Sequence, residues 1–487
     1  MIASIEEGRK QDGNRSIADK IIKRLHDLEK TVESNHGRWA WELLQNAKDS
    51  IADEDRTVDV MLILSDTSVQ FFHNGTHFTE NDVRGLINQI SSKEVEEGEV
   101  SNKTGRFGTG FITTHLLSKV IQVSGVVKTQ IGEFYTFNFP LDREGSTTAV
   151  LAPKIEATWG HFQSTVQKVY NYDKQQFNTC FTYPLQTEKQ KNIAQKGVDE
   201  FSRLMPYVLA FNPKIGRVTI INNGHSVVYN RKSDILHDFI LPISKIENNN
   251  ETTLQIAVGT SNTKTIHVAA EIDPITNSVK PFTDVPRLFC DFPLVGTESF
   301  YFPVVVNSSR FFPHTERHSI WLKGNEDKEV VQNQDILETA VALYKKLLTK
   351  LSEFGTKNLY NVADTRIPDV NKEYFDSEWY KTLIREQLID IIINTPIVDT
   401  HKHGRRALKE TFIIYGSEKD MSHLETLWHF AEDFKIEPYI LPERKSLNLW
   451  LEVAENTDCY GLINVGTIDL LFDNCLISNK LVNLRQK

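Results

Sequence analysis

The chain has 487 residues, too many for one compact core, and two or three domains are expected. Apolar residues make up 40% and charged residues 25%, which excludes a fibrous or disordered chain. Acidic side chains (65) outnumber basic ones (55), and the resulting charge of −10 argues against general nucleic-acid binding.

In chain order, Ser16–Val32 reads as a helix with Ile17, Ile21, Ile22, Leu25 and Leu28 on one face, and a second helix is expected over Gly37–Ile51. Strands are expected at 58–66, 69–73, 119–125, 133–139 and 177–185. Together these make residues 1–190 a two-layer α+β domain. Residues 191–355 change pattern: a helix carrying Met205 and Leu209, strands at 217–222, 225–230, 265–272, 288–294 and 300–307, then a long helix over 332–352. The region 356–487 mixes helices and strands, and Asp364–Asn371 with Pro368 reads as a linker. No apolar run approaches the roughly 18–20 residues of a bilayer span. MIASIEEGRKQDGNRS lacks the apolar stretch of a signal peptide. Cys180, Cys290, Cys459 and Cys475 form no C-x-x-C pair and read as free thiols. A cytoplasmic protein without a membrane segment is expected.

Three stretches carry chemistry. In WELLQNAKDS, Glu42, Asn46 and Asp49 sit at i, i+4 and i+7 and share one helical face. Asn46 offers a neutral oxygen to a hard cation, one turn from a carboxylate able to act on water. In HNGTHF (73–78), Asn74-Gly75 is a turn signal after a strand, either a plain hairpin or a place where Gly75 lets a flat base approach. In TGRFGTGF, Gly105, Gly108 and Gly110 precede a helix-like run from Phe111 to Leu117, where bare N–H groups suit phosphate oxygens. The glycine spacing matches neither a Walker A loop nor the Rossmann fingerprint.

Taken together, the boxes resemble the GHKL superfamily of ATPases, which includes gyrase B, heat-shock chaperones, histidine kinases and MutL. Glu42-Leu-Leu-Gln-Asn46-Ala-Lys-Asp49 is similar to the superfamily's E-x-x-x-N-x-x-D box, and Gly105-Arg106-Phe107-Gly108-Thr109-Gly110-Phe111 to its second glycine box. Thr179 resembles the later threonine of the adenine site. The resemblance spans roughly residues 17–185. It implies a Bergerat-type ATP-binding fold, Mg²⁺ held through Asn46, Glu42 acting on water, and phosphates cradled by Gly108–Phe111. One position departs: His73 stands where the superfamily carries the Asp that accepts from adenine's amino group. A neutral imidazole nitrogen, the Asn74 side-chain oxygen or a backbone carbonyl is the expected substitute acceptor. Phe78-Thr79-Glu80-Asn81-Asp82 and the lid text containing Lys93 are similar to sacsin-type members.

The following zone resembles the middle, transducer-like domain of ninety-kilodalton heat-shock chaperones. Arg310 in PVVVNSSRFFP, or Arg317 in RHSIW, takes the place of the arginine that reaches the γ-phosphate. The resemblance implies an ATP-hydrolysing conformational machine with lid closure, a nucleotide-dependent homodimer, and a protein client or an effector of the kind gated in bacterial anti-phage defence. A MutL-like DNA clamp and a nucleotide-binding scaffold without turnover are the alternatives.

Overall fold

The computed structural model describes residues 2–30, 36–89, 110–232, 238–314, 319–324, 327–400, 403–415, 428 and 440–467. By contacts the chain divides into two compact units. The first comprises Met1–Asp234, Pro242–Thr253 and Asp291–Val295; the second comprises Ile235–Leu241, Leu254–Cys290 and Gly296–Lys487. Both mix helices and sheets, so the fold class is α+β.

In the first unit the helices α1 (Ile2–Lys30) and α2 (Arg38–Ser50) precede strands β1 (Val58–Leu64), β2 (Ser68–His73) and β3 (Phe78–Thr79). Then come helix α3 (Glu80–Asn88), a 3₁₀ turn at Gly110–Leu116, β4 (Val120–Lys128), β5 (Phe134–Asp142) and helix α4 (Thr148–Thr165). The unit continues with β6 (Gln167–Val169), β7 (Thr179–Pro184), helix α5 (Glu188–Phe211), β8 (Ile215–Asn222), β9 (His225–Arg231) and β10 (Ile240–Glu247). Its strands lie in the order β10-β9-β8-β1-β2-β7-β4-β5-β6, with β3 on β4. Pairing is antiparallel except for β1–β8 and β3–β4. Burial alternates strictly along β1, β2 and β7, as a sheet covered on one face requires.

Several elements differ from expectation. Helix α1 begins at Ile2, not Ser16; its polar first half has no apolar stripe, and Lys10 and Asn14 instead hold Glu156 of α4 at 2.6 and 3.1 Å. Helix α4 was not anticipated, because Pro153 and Gly160 interrupt its periodicity. The run after Gly110 is a 3₁₀ turn rather than an α-helix. Residues 74–77 do not close a hairpin: β3 pairs parallel with β4 and feeds α3, whose start is a capping box between Thr79 and Asp82.

In the second unit β11 (Asn250–Thr260) pairs antiparallel with β12 (Ile266–Asp273), and β12 with the strand Val305–Ser308. β13 (Ser278–Val279) adds to β12, and β14 (Leu288–Cys290) runs parallel to Val305–Ser308. The strand expected over 288–294 is broken by Asp291 at φ 60°, and the one over 300–307 is shortened by Tyr301 at φ 52°. Helix α6 (Lys328–Glu353) buries Ile336, Ala340, Leu343, Leu347 and Leu351, as its spacing predicts. Two smaller sheets follow, 396–399 with 405–407 and 412–415 with 464–467. The stretch 364–371 packs as part of this unit, with Thr365 fully buried and Arg366 paired to Asp364 at 2.7 Å.

Candidate functional site

Helix α2 carries most of the predicted side chains and is fixed at both ends. At its start, Trp41 donates through Nε1 to Glu200 of α5 at 2.8 Å, and Trp39 packs against Gly197 so tightly that a Cβ there would meet Nε1 at 2.4 Å. Near its end, Lys48 pairs with Asp291 at 2.5 Å, while Asn212 donates to the Asp291 carbonyl at 2.7 Å. The helix therefore presents its polar face in a set orientation.

On that face Glu42 is 6% exposed and is met by Arg38 Nε at 3.4 Å. Arg38 is a site residue the motif reading missed; its i, i+4 spacing to Glu42 was the available signal. The Glu42 carboxylate lies against Gly110, where a Cβ would come 1.9 Å from Oε2. The catalytic candidate and the last glycine of the glycine box thus meet in space, 68 positions apart in sequence. Phe111 continues from there, its ring 5.3 Å from Phe181. Asn46 is half-buried one turn on, and its amide has no hydrogen-bond partner among the described residues. A neutral oxygen donor left unpaired beside a carboxylate suits a hard divalent cation such as Mg²⁺. Asp49 is buried and engaged within the protein.

Strand register builds the other wall. His73 of β2 lies opposite Thr179 of β7, and Phe71 opposite Phe181. All four face the same side of the sheet, so two polar residues stand at the end of an apolar floor. Burial and the nearby Arg56 lower the His73 pKa to about 3, which keeps the imidazole neutral. Its Nδ1 accepts from the Gly75 N–H at 3.0 Å. The next pair in the register, Ser124 with Cys180, sets Gly125 of β4 beyond Thr179, and the Phe78 ring covers that glycine. Phe78 therefore flanks this row and stacks edge-on with Phe137 at 5.4 Å.

Two other predicted residues act differently from expectation. The Asn74 side-chain oxygen, an expected acceptor for the base, already accepts from the Asp59 N–H at 2.7 Å, and Arg56 donates to the Asn74 carbonyl at 2.8 Å. Gly75 is needed because a Cβ there would meet Ser50 Oγ at 2.1 Å, and its φ is not in the left-handed region. Its smallness serves the packing of the 74–77 loop on the end of α2.

In the second unit Arg310 is exposed just after the strand Val305–Ser308. Its N–H donates to Ser308 Oγ at 3.2 Å, and its carbonyl accepts from Gln332 of α6. Asn333, fully buried, clamps the segment that follows: it accepts from the Phe312 N–H at 2.8 Å and donates to the carbonyls of Phe312 and Trp321 at 2.9 and 2.8 Å. The Arg310 guanidinium has no partner among the described residues. Lys93, Gly105, Arg106, Phe107, Gly108, Thr109, Arg317 and Cys475 lie outside the described residues. Cys180, Cys290 and Cys459 are free thiols. No helix among the described residues is long and apolar enough to cross a membrane.

Neither protein-family models nor curated proteins give a match to this chain.

Proposed function

We propose that the first unit is a GHKL-type, Bergerat-fold ATP-binding module and that the whole chain is a slowly hydrolysing, ATP-driven conformational machine. The observation that carries the reading is the contact between Glu42 and Gly110, which joins the carboxylate of one motif to the glycine-rich end of another. Beside it, the Asn46 amide, which has no partner among the described residues, supports a Mg²⁺ site, and the ion when bound would supply charge neutralisation to the phosphates. Glu42 orients the attacking water and takes its proton, and Arg38 keeps that carboxylate aimed. The backbone N–H groups at Gly110 and Phe111 face the triphosphate, while His73 and Thr179 stand at the base end.

The second unit takes the role of a transducer. Arg310, exposed on a loop that Asn333 holds to α6, is the arginine offered to the γ-phosphate, and Arg317 is the other candidate. Arginines supplied this way contribute roughly 10³–10⁵ in rate. Lid closure before the arginine arrives makes turnover slow and gated. A nucleotide-dependent homodimer and a protein client or effector follow from the same reading, in a cytoplasmic setting.

The test is steady-state ATP hydrolysis by wild type and Glu42→Ala, with nucleotide binding measured alongside and mass determined with a non-hydrolysable analogue. Loss of turnover with retained binding supports the assignment. Full turnover by Glu42→Ala overturns it. Binding without turnover in the wild type instead favours the scaffold reading.

A further inference from the structure

The chemistry of the base end is set by one hydrogen bond. A backbone N–H can only donate, so the Gly75 N–H at 3.0 Å makes His73 Nδ1 an acceptor. The ring is neutral, and its single proton therefore sits on Nε2. That N–H makes no hydrogen bond among the described residues, and the ring, in a residue 5% exposed, packs among Phe71 and Phe181 at 6.3 and 6.4 Å. A donor without a protein partner is open to an acceptor on a ligand. Across the strand pair, Thr179 is 1% exposed, and its hydroxyl makes no hydrogen bond among the described residues. A hydroxyl donates or accepts as required.

The fixed acceptors nearby are occupied. Asn74 Oδ1 takes the Asp59 N–H, the Asn74 carbonyl takes Arg56, and Asp49 is engaged within the protein. Among the described residues the base end thus offers one fixed donor and one adaptable hydroxyl, and no free carboxylate to require an exocyclic amino group.

We propose that His73 is a specificity-determining residue that donates a hydrogen bond from Nε2 to the nucleobase, so that this site accepts 6-oxopurine triphosphates alongside ATP. A donor pairs equally with N1 of adenine or with the 6-oxygen of guanine and hypoxanthine. The 6-amino group of adenine is then not read, and the large discrimination available to a site that hydrogen-bonds such a group is given up. The inference rests on the nucleotide reading above, which it refines.

The test uses the full chain and direct binding of three Mg²⁺ complexes: ATP, inosine triphosphate and purine riboside triphosphate, which carries hydrogen in place of the 6-amino group. For wild type, the three dissociation constants are expected within tenfold of one another. A preference above tenfold for ATP over either analogue overturns the proposal. His73→Asp is expected to shift the ATP-to-inosine ratio at least tenfold toward ATP. His73→Leu, which suits the Phe71 and Phe181 surroundings if the aspartate variant does not fold, is expected to weaken ATP and inosine triphosphate alike by at least fivefold. Unchanged affinities in His73→Leu, or an unchanged ratio in folded His73→Asp, mean that the histidine does not touch the base. Failure of wild type to bind any of the three nucleotides is a different outcome, and it removes the ATPase reading itself.

Discussion

The carboxylate of Glu42 and the backbone of Gly110 are in contact, with room between them for a hydrogen but not for a methyl group. A side chain at position 110 must therefore push the carboxylate off its place. Gly110→Ala is expected to lower kcat by about 10²–10⁴, the usual worth of a positioned general base, while the fold is kept. Gly132→Ala gives a poor control because its φ is 88°, so an exposed glycine with open space, such as Gly461, is the comparison. Equal turnover in Gly110→Ala and wild type removes Glu42 from the chemistry.

How much of this was legible beforehand varies with the kind of interaction. The shared face of Glu42, Asn46 and Asp49 follows from helical spacing alone, and α2 spans 38–50 against an expected 37–51. The apolar stripe of α6 was readable for the same reason. What periodicity does not encode is which distant residue fills the space beside a glycine. Gly75 read as a turn signal and proves to be a packing position against Ser50, and Gly197 carried no signal for Trp39. Strand register was equally hidden: the pairing of His73 with Thr179 depends on β7 inserting beside β2, over a hundred residues later. The tautomer of His73 then depends on a single loop N–H.

The pair Lys48–Asp291 ties the end of α2 to a segment drawn from far along the chain. Both side chains are largely buried, at 14% and 13% exposure. Asp291 has φ 60°, which asparagine tolerates, so Asp291→Asn removes the charge with little backbone penalty. The expected loss is about 1.5–3 kcal/mol, the range for a hydrogen bond to a charged group. Lys48→Met should cost a similar amount, and a double-mutant cycle from urea unfolding should return a favourable coupling. Strictly additive losses mean that the two charges do not sense each other.

Acid should weaken the first unit through its buried histidines. Burial, with Arg56 beside His73 and Arg143 beside His115, lowers both pKa values to about 3. In the unfolded chain the same groups titrate near 6.5. Between these values the unfolded state binds more protons, so stability is fully present above about pH 6.5 and falls as the pH drops toward 3. Each group contributes a slope of up to about 1.4 kcal/mol per pH unit. Urea midpoints between pH 6.5 and 5 isolate the histidines, because lowered carboxylates such as Glu54 hold their charge there. The double variant His73→Leu, His115→Leu should flatten the profile, and a wild-type profile already flat over that window contradicts the burial argument.

Two helical glycines should respond to the same substitution with opposite signs. Gly160 is exposed in α4, and a Cβ there meets nothing within 4 Å. Gly160→Ala then only reduces the backbone freedom lost on folding and is expected to stabilise by about 1 kcal/mol. Gly197 in α5 faces the indole of Trp39, which is 1% exposed and closed in on every side. Gly197→Ala has nowhere to put its methyl group, and overpacking of this kind costs about 1–3 kcal/mol. Because the α5–α2 contact also sets the orientation of the Glu42 face, the same change should lower ATP turnover, whereas Gly160→Ala should leave it unaltered. Thermal unfolding and turnover measured on both variants separate the two. A stabilised and fully active Gly197→Ala would show that the seat of α2 on α5 does not position the site.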